Sequence, residues 1–322
     1  MEKAFIFGEA KNLVGIIHRP AHANIHYPVM IMINGGLIHR VGPNRLYVKL
    51  ARTLGVAGWT SFRFDLSGLG DSATAWQQSE SGNDVHDAKE AMDFIALTYG
   101  IHEFILMGIC SGADVAFHTA LKDTRVVGVI PINGYFYELE EMYDVVKKAN
   151  EAVALRYYKK NMFSIARWQK IVRGRSSVLS LKNLSRILNS ITNIAKQKFK
   201  PAAYAGSGIV RKNQPEFKID NWDILLKRNT KLYHIFSEGS DAYDAFVLTA
   251  AMRLQSYIQS GKIGYTLIRD ADHTCTLVWS QEYLIMLIKT WLLENNWEVT
   301  PHSSNIRVAE KESIQDLLMP NI

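Results

Sequence analysis

The sequence predicts an α/β protein, a mostly parallel central sheet flanked by helices with an all-helical insertion. Three observations lead there. Short, wholly apolar runs such as 29–33 and 126–132 have the length of strands buried on both faces. Between them lie segments with apolar residues at helical spacing, for example Leu46, Leu50 and Leu54. That alternation then stops over residues 137–215, where Leu181, Leu184, Leu188, Ile191 and Ile194 trace one helical stripe with Lys182, Arg186, Lys196 and Lys198 facing away. The expected organisation is a first core part at 1–136, a helical insertion at 137–215, and a second core part with a polar tail at 216–322.

Taken in order, residues 4–7 and 13–18 read as a hairpin at the sheet edge, and 29–33 as the first central strand. Pro43 opens a helix, because its fixed φ and missing N–H suit a first turn. Strand 60–64 runs into Asp65-Leu66-Ser67-Gly68-Leu69-Gly70-Asp71-Ser72, where Asp65 is expected to bind loop backbone. A helix over 84–99 carries Val85, Ala88, Met92, Ile95 and Ala96 inward. Strands follow at 104–109 and 126–132. After the insertion come a short helix at 222–228, a strand at 231–236, an apolar helix at 245–258, a last strand at 263–268 and a closing helix at 276–294. A weak terminal helix is expected at 310–318.

Hydrophobic residues make up 48% of the 322 and charged residues 21%, which is enough apolar material for a full core and excludes a disordered or fibrous chain. Two cysteines cannot make a disulfide framework, and the first ten residues lack the basic start and apolar run of a leader. A reducing, cytoplasmic setting is expected. The apolar run at 283–293 is interrupted by Lys289 and is too short for a membrane span.

The formal charge of +6 is unevenly placed: residues 141–215 hold sixteen Lys or Arg against three acids. A solvated face is one reading. Attraction of an anionic or carrier-bound substrate, contact with an acidic carrier protein, and contact with a membrane surface are the others. No nucleic-acid motif accompanies the charge. No cofactor is expected: neither His-Glu-x-x-His spacing nor a dinucleotide fingerprint occurs, Gly68-Leu69-Gly70 lying in a loop.

The chemistry centres on Phe104-Ile105-Leu106-Met107-Gly108-Ile109-Cys110-Ser111-Gly112, a strand, a sharp turn and a helix start. Gly108 and Gly112 flank Cys110 in the pattern Gly-x-nucleophile-x-Gly, whose glycines let a strained turn lift one reactive side chain above the sheet. At a helix N-terminus the dipole favours a thiolate, so acyl transfer through sulfur is expected. Backbone N–H groups of Ser111 and of Gly36 or Leu37, in the turn Asn34-Gly35-Gly36-Leu37, suit an oxyanion hole. The alternatives are an inert buried Cys110 on a binding scaffold, or its pairing with Cys275. Ser111 stands at the wrong position of the turn to be the nucleophile itself.

The order of strand, Asn-Gly-Gly turn, helix, strand, Asp-Leu-Ser-Gly-Leu-Gly-Asp-Ser, helix, strand and Gly-Ile-Cys-Ser-Gly resembles the α/β-hydrolase fold. Asn34-Gly35-Gly36-Leu37-Ile38-His39-Arg40-Val41-Gly42-Pro43-Asn44-Arg45, with the cysteine turn, is similar to the exosortase-system-associated hydrolases of bacteria. The resemblance implies that the insertion is a cap over the active site. It also implies that the acid follows strand 231–236, pointing to Asp241 with Asp244 in reserve, although either aspartate can equally cap the next helix. The base would be His273, in the loop after the last strand. A Cys110, His273, Asp241 triad acting on an acyl ester or thioester is the resulting expectation, with hydrolysis and transfer to an acceptor sharing one set of residues. Acyl group, acceptor and oligomeric state are not fixed by these residues.

Overall fold

The computed structural model describes residues 1–74, 84–136, 220–250, 254–295 and 297. Its strands are β1 (Glu2–Phe7), β2 (Leu13–His18), β3 (Val29–Ile33), β4 (Ser61–Phe64), β5 (Phe104–Ile109), β6 (Val126–Ile132), β7 (Lys231–Ser237) and β8 (Ile263–Ile268). They form one sheet in the order β1-β2-β4-β3-β5-β6-β7-β8. The pairs β1–β2 and β2–β4 are antiparallel and all others parallel, so the expected hairpin does lie at the edge.

The unbroken apolar runs follow from this sandwich. In β3, Val29, Ile31 and Ile33 enter the core on one face while Met30 and Met32 enter that on the other, and β5 divides the same way. Each such fully buried side chain contributes about 1.5–3 kcal/mol. On the first face pack α2 (Asp84–Tyr99), α3 (Ser111–Lys122), α4 (Asp220–Lys227) and α5 (Asp241–Thr249). On the second face pack α1 (Leu46–Val56), which follows a single 3-10 turn at Pro43–Arg45, and α7 (Val278–Glu294). A short α6 (Gln255–Gln259) precedes β8. Among the described residues no helix is long and apolar enough to cross a membrane.

The helix expected at 222–228 spans Asp220–Lys227, and two further helix starts differ from the sequence reading for reasons of side-chain bonding. The helix expected at 245–258 begins at Asp241, because Ser240 accepts a hydrogen bond from the Ala242 N–H and caps it, and α6 is a separate element. The closing helix starts at Val278, not at 276. Thr276 instead belongs to the preceding loop, its N–H and hydroxyl both donating to the Asp272 carboxylate at 2.7 and 2.6 Å. The insertion at 137–215 and the terminal helix at 310–318 lie outside the described residues.

One core residue makes the fold acid-sensitive. His234 of β7 is fully buried in an aromatic box of Phe136, Phe236 and Phe246, with Trp222 Nε1 donating to its Nε2 at 3.4 Å. Its Nδ1 is buried with no hydrogen-bond partner, and burial lowers its pKa to about 3. The unfolded chain therefore takes up a proton near pH 6.5 that the folded chain refuses until about pH 3, so stability falls as pH drops through that window. Between pH 7 and pH 5 the His234 contribution to this loss is about 2 kcal/mol. Denaturant unfolding at both pH values should show a loss larger by that amount in wild type than in His234→Phe; equal losses would refute it.

Candidate active site

The carboxyl ends of the parallel strands bring the site together. Residue 110 closes β5, and its N–H donates to the Ile132 carbonyl at 2.9 Å. Its backbone is forced to φ 58°, ψ −129°, a conformation costly for a residue with a side chain. The glycines make it reachable: a Cβ on Gly108 would lie 2.1 Å from the Gly112 carbonyl oxygen, and one on Gly112 would lie 2.5 Å from that of Ile33. Only bare backbone lets helix α3 start this close to the sheet, with the thiol raised above it.

Cys110 and His273 line one cavity of about 210 Å³, together with Asn34, Gly36, Leu37 and Tyr47. Both cysteines are free thiols, and Cys275 is buried with its pKa pushed up to about 12 by that burial and by the charge of Asp272. Cys275 is not among the cavity residues.

The thiol does not rest as the helix terminus alone would suggest. Burial pushes the Cys110 pKa up, and the charges of Asp114 and Asp241 push the same way; only the hydrogen bond from the Ser111 N–H opposes them. Desolvation and two carboxylates thus oppose the dipole that favours a thiolate at a helix start. His273 moves the other way. Burial lowers its pKa, the charges of Asp241 and Asp272 offsetting part of the effect, so the imidazole is neutral at pH 7.

His273 Nδ1 lies 2.9 Å from Ser240 Oγ. Asp241, the expected acid, opens α5, and its carboxylate accepts a hydrogen bond from the Tyr135 hydroxyl. Its charge acts on both Cys110 and His273. Asp244 is buried in the same first helical turn. Asp114, one turn along α3 from Cys110, accepts the backbone N–H groups of Tyr135 and Phe136 at 2.9 and 2.8 Å, and burial raises its pKa to about 6.

Of the oxyanion donors, the Ser111 N–H faces the sulfur. The Gly36 N–H already donates to Ser111 Oγ at 2.9 Å, which leaves Leu37, exposed on the cavity rim, as the less committed partner. The Gly35–Arg40 turn is held from behind: the Arg40 N–H donates to Asp65 at 2.5 Å, and its guanidinium bridges Asp65 and Asp71. Asp65 thus binds loop backbone as expected, with a cation added.

Elsewhere, His86, Asp87 and Glu90 on α2 are close enough to share a cation. Their carboxylates are already employed, Asp87 accepting the Ser67 N–H and hydroxyl and Glu90 the Glu9 N–H.

A family model described as alpha/beta hydrolase fold matches residues 28–162. An esterase of Pyrococcus furiosus has a similar structure, with TM-score 0.52 at 13% identity over 91% of this chain and 90% of the esterase. The chain has the α/β-hydrolase fold. Proline iminopeptidase of Mycobacterium smegmatis is also similar, with TM-score 0.50 at 15% identity over 91% of this chain and 98% of that one. No curated protein sequence matches significantly.

Within this hydrolase fold, three residues that sequence reasoning did not single out support the site. Asn133, buried and at φ 52°, donates from Nδ2 to the His273 carbonyl at 2.7 Å and to Ser237 Oγ at 2.9 Å, and accepts the Ser237 N–H at 2.8 Å. It ties the loop bearing the histidine to the ends of β6 and β7. Ser240 meets the imidazole and Tyr135 holds the acid. The one local signal was Asn133-Gly134 directly after a strand, which marks a turn but not its role.

Proposed function

We propose that this α/β-hydrolase-fold protein is an enzyme that moves an acyl group from an ester or thioester through an acyl-Cys110 intermediate. The observation that carries the reading is the strained Cys110 sharing one cavity with the His273 imidazole and the Gly36-Leu37 backbone. A neutral thiol and a neutral imidazole call for general-base attack, not a standing ion pair. His273 Nε2 takes the Cys110 proton as the sulfur bonds to the carbonyl carbon, and the oxyanion is held by the Ser111 and Leu37 N–H groups. The imidazolium then gives its proton to the leaving oxygen or sulfur, and an acyl-thioester remains on Cys110. Water, or an amine, thiol or hydroxyl acceptor, attacks that thioester; His273 removes its proton and returns it to the departing sulfur.

Nδ1–H donating to Ser240 Oγ is the tautomer that leaves Nε2 open for this work. The Asp241 charge stabilises the imidazolium from nearby. The sixteen basic residues of 141–215 favour an anionic or carrier-bound donor, in keeping with the resemblance to exosortase-system-associated hydrolases.

Mass spectrometry of protein quenched after mixing with acetyl or butyryl thioesters tests this. The acyl mass should appear on the Cys110 peptide and be absent in Cys110→Ala. Faster loss of that adduct on adding an amine or alcohol marks a transferase, and an unchanged rate a hydrolase. Acylation at Ser111, or turnover surviving in Cys110→Ala, would overturn the assignment.

A further inference from the structure

The closing helix α7 has two apolar faces, and the described residues bury one. Leu284, Ile285, Ile288 and Leu292 are buried against the sheet. On the opposite side Trp279, Tyr283, Met286 and Leu293 are 45%, 40%, 49% and 55% exposed. Together with exposed Thr290 these positions step by four, three, four and three residues, the 3.5-residue repeat of a helix seam made to meet another helix. A stripe of this kind along a helix of 17 residues, about 25 Å long, is more than scattered surface hydrophobicity.

The flanking charges say what meets it. Glu282 and Lys289 lie seven residues apart on the same flank of the stripe. If a second copy of α7 is laid antiparallel across a twofold axis passing at residue 286, Glu282 falls within one residue of the level of the partner's Lys289, and Lys289 within one of the partner's Glu282. The same register sets Trp279 against the partner's Leu293 and brings the two Met286 side chains together at the axis. Apolar spacing and charge order are therefore both self-complementary in one arrangement.

We infer that α7 is the interface of a homodimer, two copies packing antiparallel through the Trp279–Tyr283–Met286–Leu293 stripe. The seam is small, near the ~1,000 Å² total at the low end of specific interfaces, so association is expected in the micromolar range. The stripe starts six residues after His273, which puts the interface next to the loop carrying the proposed base.

Sedimentation velocity on the full chain, at concentrations up to about 100 µM, reads the result. Wild type should pass from monomer to dimer mass with concentration, and Met286→Glu should weaken association at least tenfold with an unchanged thermal midpoint. Glu282→Lys and Lys289→Glu should each weaken it several-fold, and the double variant Glu282→Lys with Lys289→Glu should restore it. The restoration separates this arrangement from generic stickiness. A wild type that stays monomeric, a Met286→Glu dimer of wild-type affinity, or single charge reversals that the double variant fails to rescue would each overturn the proposal. So would binding of the monomer to anionic vesicles through the same stripe.

Discussion

His273→Ala is expected to lower turnover of a short-chain thioester by about 10²–10⁴-fold, the usual contribution of a positioned general base. The pH profiles make the expectation specific. His273 must be neutral to accept a proton, and its pKa lies below 6.5, so turnover should rise along an acid limb below that value and then stay level. Cys110 must hold a proton to give, and its pKa lies above 9, so the level region should extend past pH 9. Alkylation by iodoacetamide behaves differently, because it follows the thiolate alone: its rate at Cys110 should still be climbing about tenfold per pH unit between pH 7 and 9. A site built on a standing thiolate–imidazolium pair would show fast alkylation already at pH 6. Observing that, or finding turnover in His273→Ala within tenfold of wild type, would reject general-base attack.

This mechanism marks where the sequence stops being legible. The strands at 29–33, 104–109 and 126–132 could be read because each is buried on both faces, so every residue is apolar and no partner need be known. The Gly108-Ile109-Cys110-Ser111-Gly112 turn was equally local, its two glycines being required by contacts within eight residues and with one neighbouring strand. The state of the sulfur was not local. A helix start is visible in sequence and argues for a thiolate; the desolvation and the Asp114 and Asp241 charges that oppose it come from a packed fold in which Asp241 stands 131 positions away. Ser240 was hidden for the same reason. It sits next to the expected acid, but nothing in the chain order says that its hydroxyl, and not the neighbouring carboxylate, meets His273 Nδ1. Tyr135 and Asn133 join loops more than 100 residues apart, and no pattern of spacing encodes such pairs.

Asp65→Ala is expected to cost about 3–5 kcal/mol of stability, the range for removing one partner of a buried ion pair. Asp65 is fully buried, and three groups depend on it: the Arg40 N–H, the Arg40 guanidinium and the Asp71 N–H, which donates at 3.0 Å. Alanine removes the acceptor of both N–H groups and one of the guanidinium's two carboxylates; Asp71 remains to it, and water reaches the Arg40 side chain only in part, at 17% exposure. The carboxylate is also packed closely from below: a Cβ on Gly70, at φ 56°, would lie 2.3 Å from an Asp65 oxygen. The consequence reaches the chemistry through the turn that carries Gly36 and Leu37, since Arg40 is its anchor. Arg40→Met separates the two effects. It keeps the backbone N–H to Asp65 bond and removes the cation; because it too breaks the ion pair it should cost stability, so kinetics are read on protein shown to be folded. There the loosened loop should lower kcat several-fold with little change in KM, because an oxyanion donor acts in the transition state and not in substrate binding. Denaturant unfolding for Asp65→Ala and steady-state kinetics for Arg40→Met check the two halves. An unfolding free energy within 1 kcal/mol of wild type in the first, or a loss carried by KM alone in the second, would show that the Asp65–Arg40 pair supports neither the fold nor the oxyanion turn.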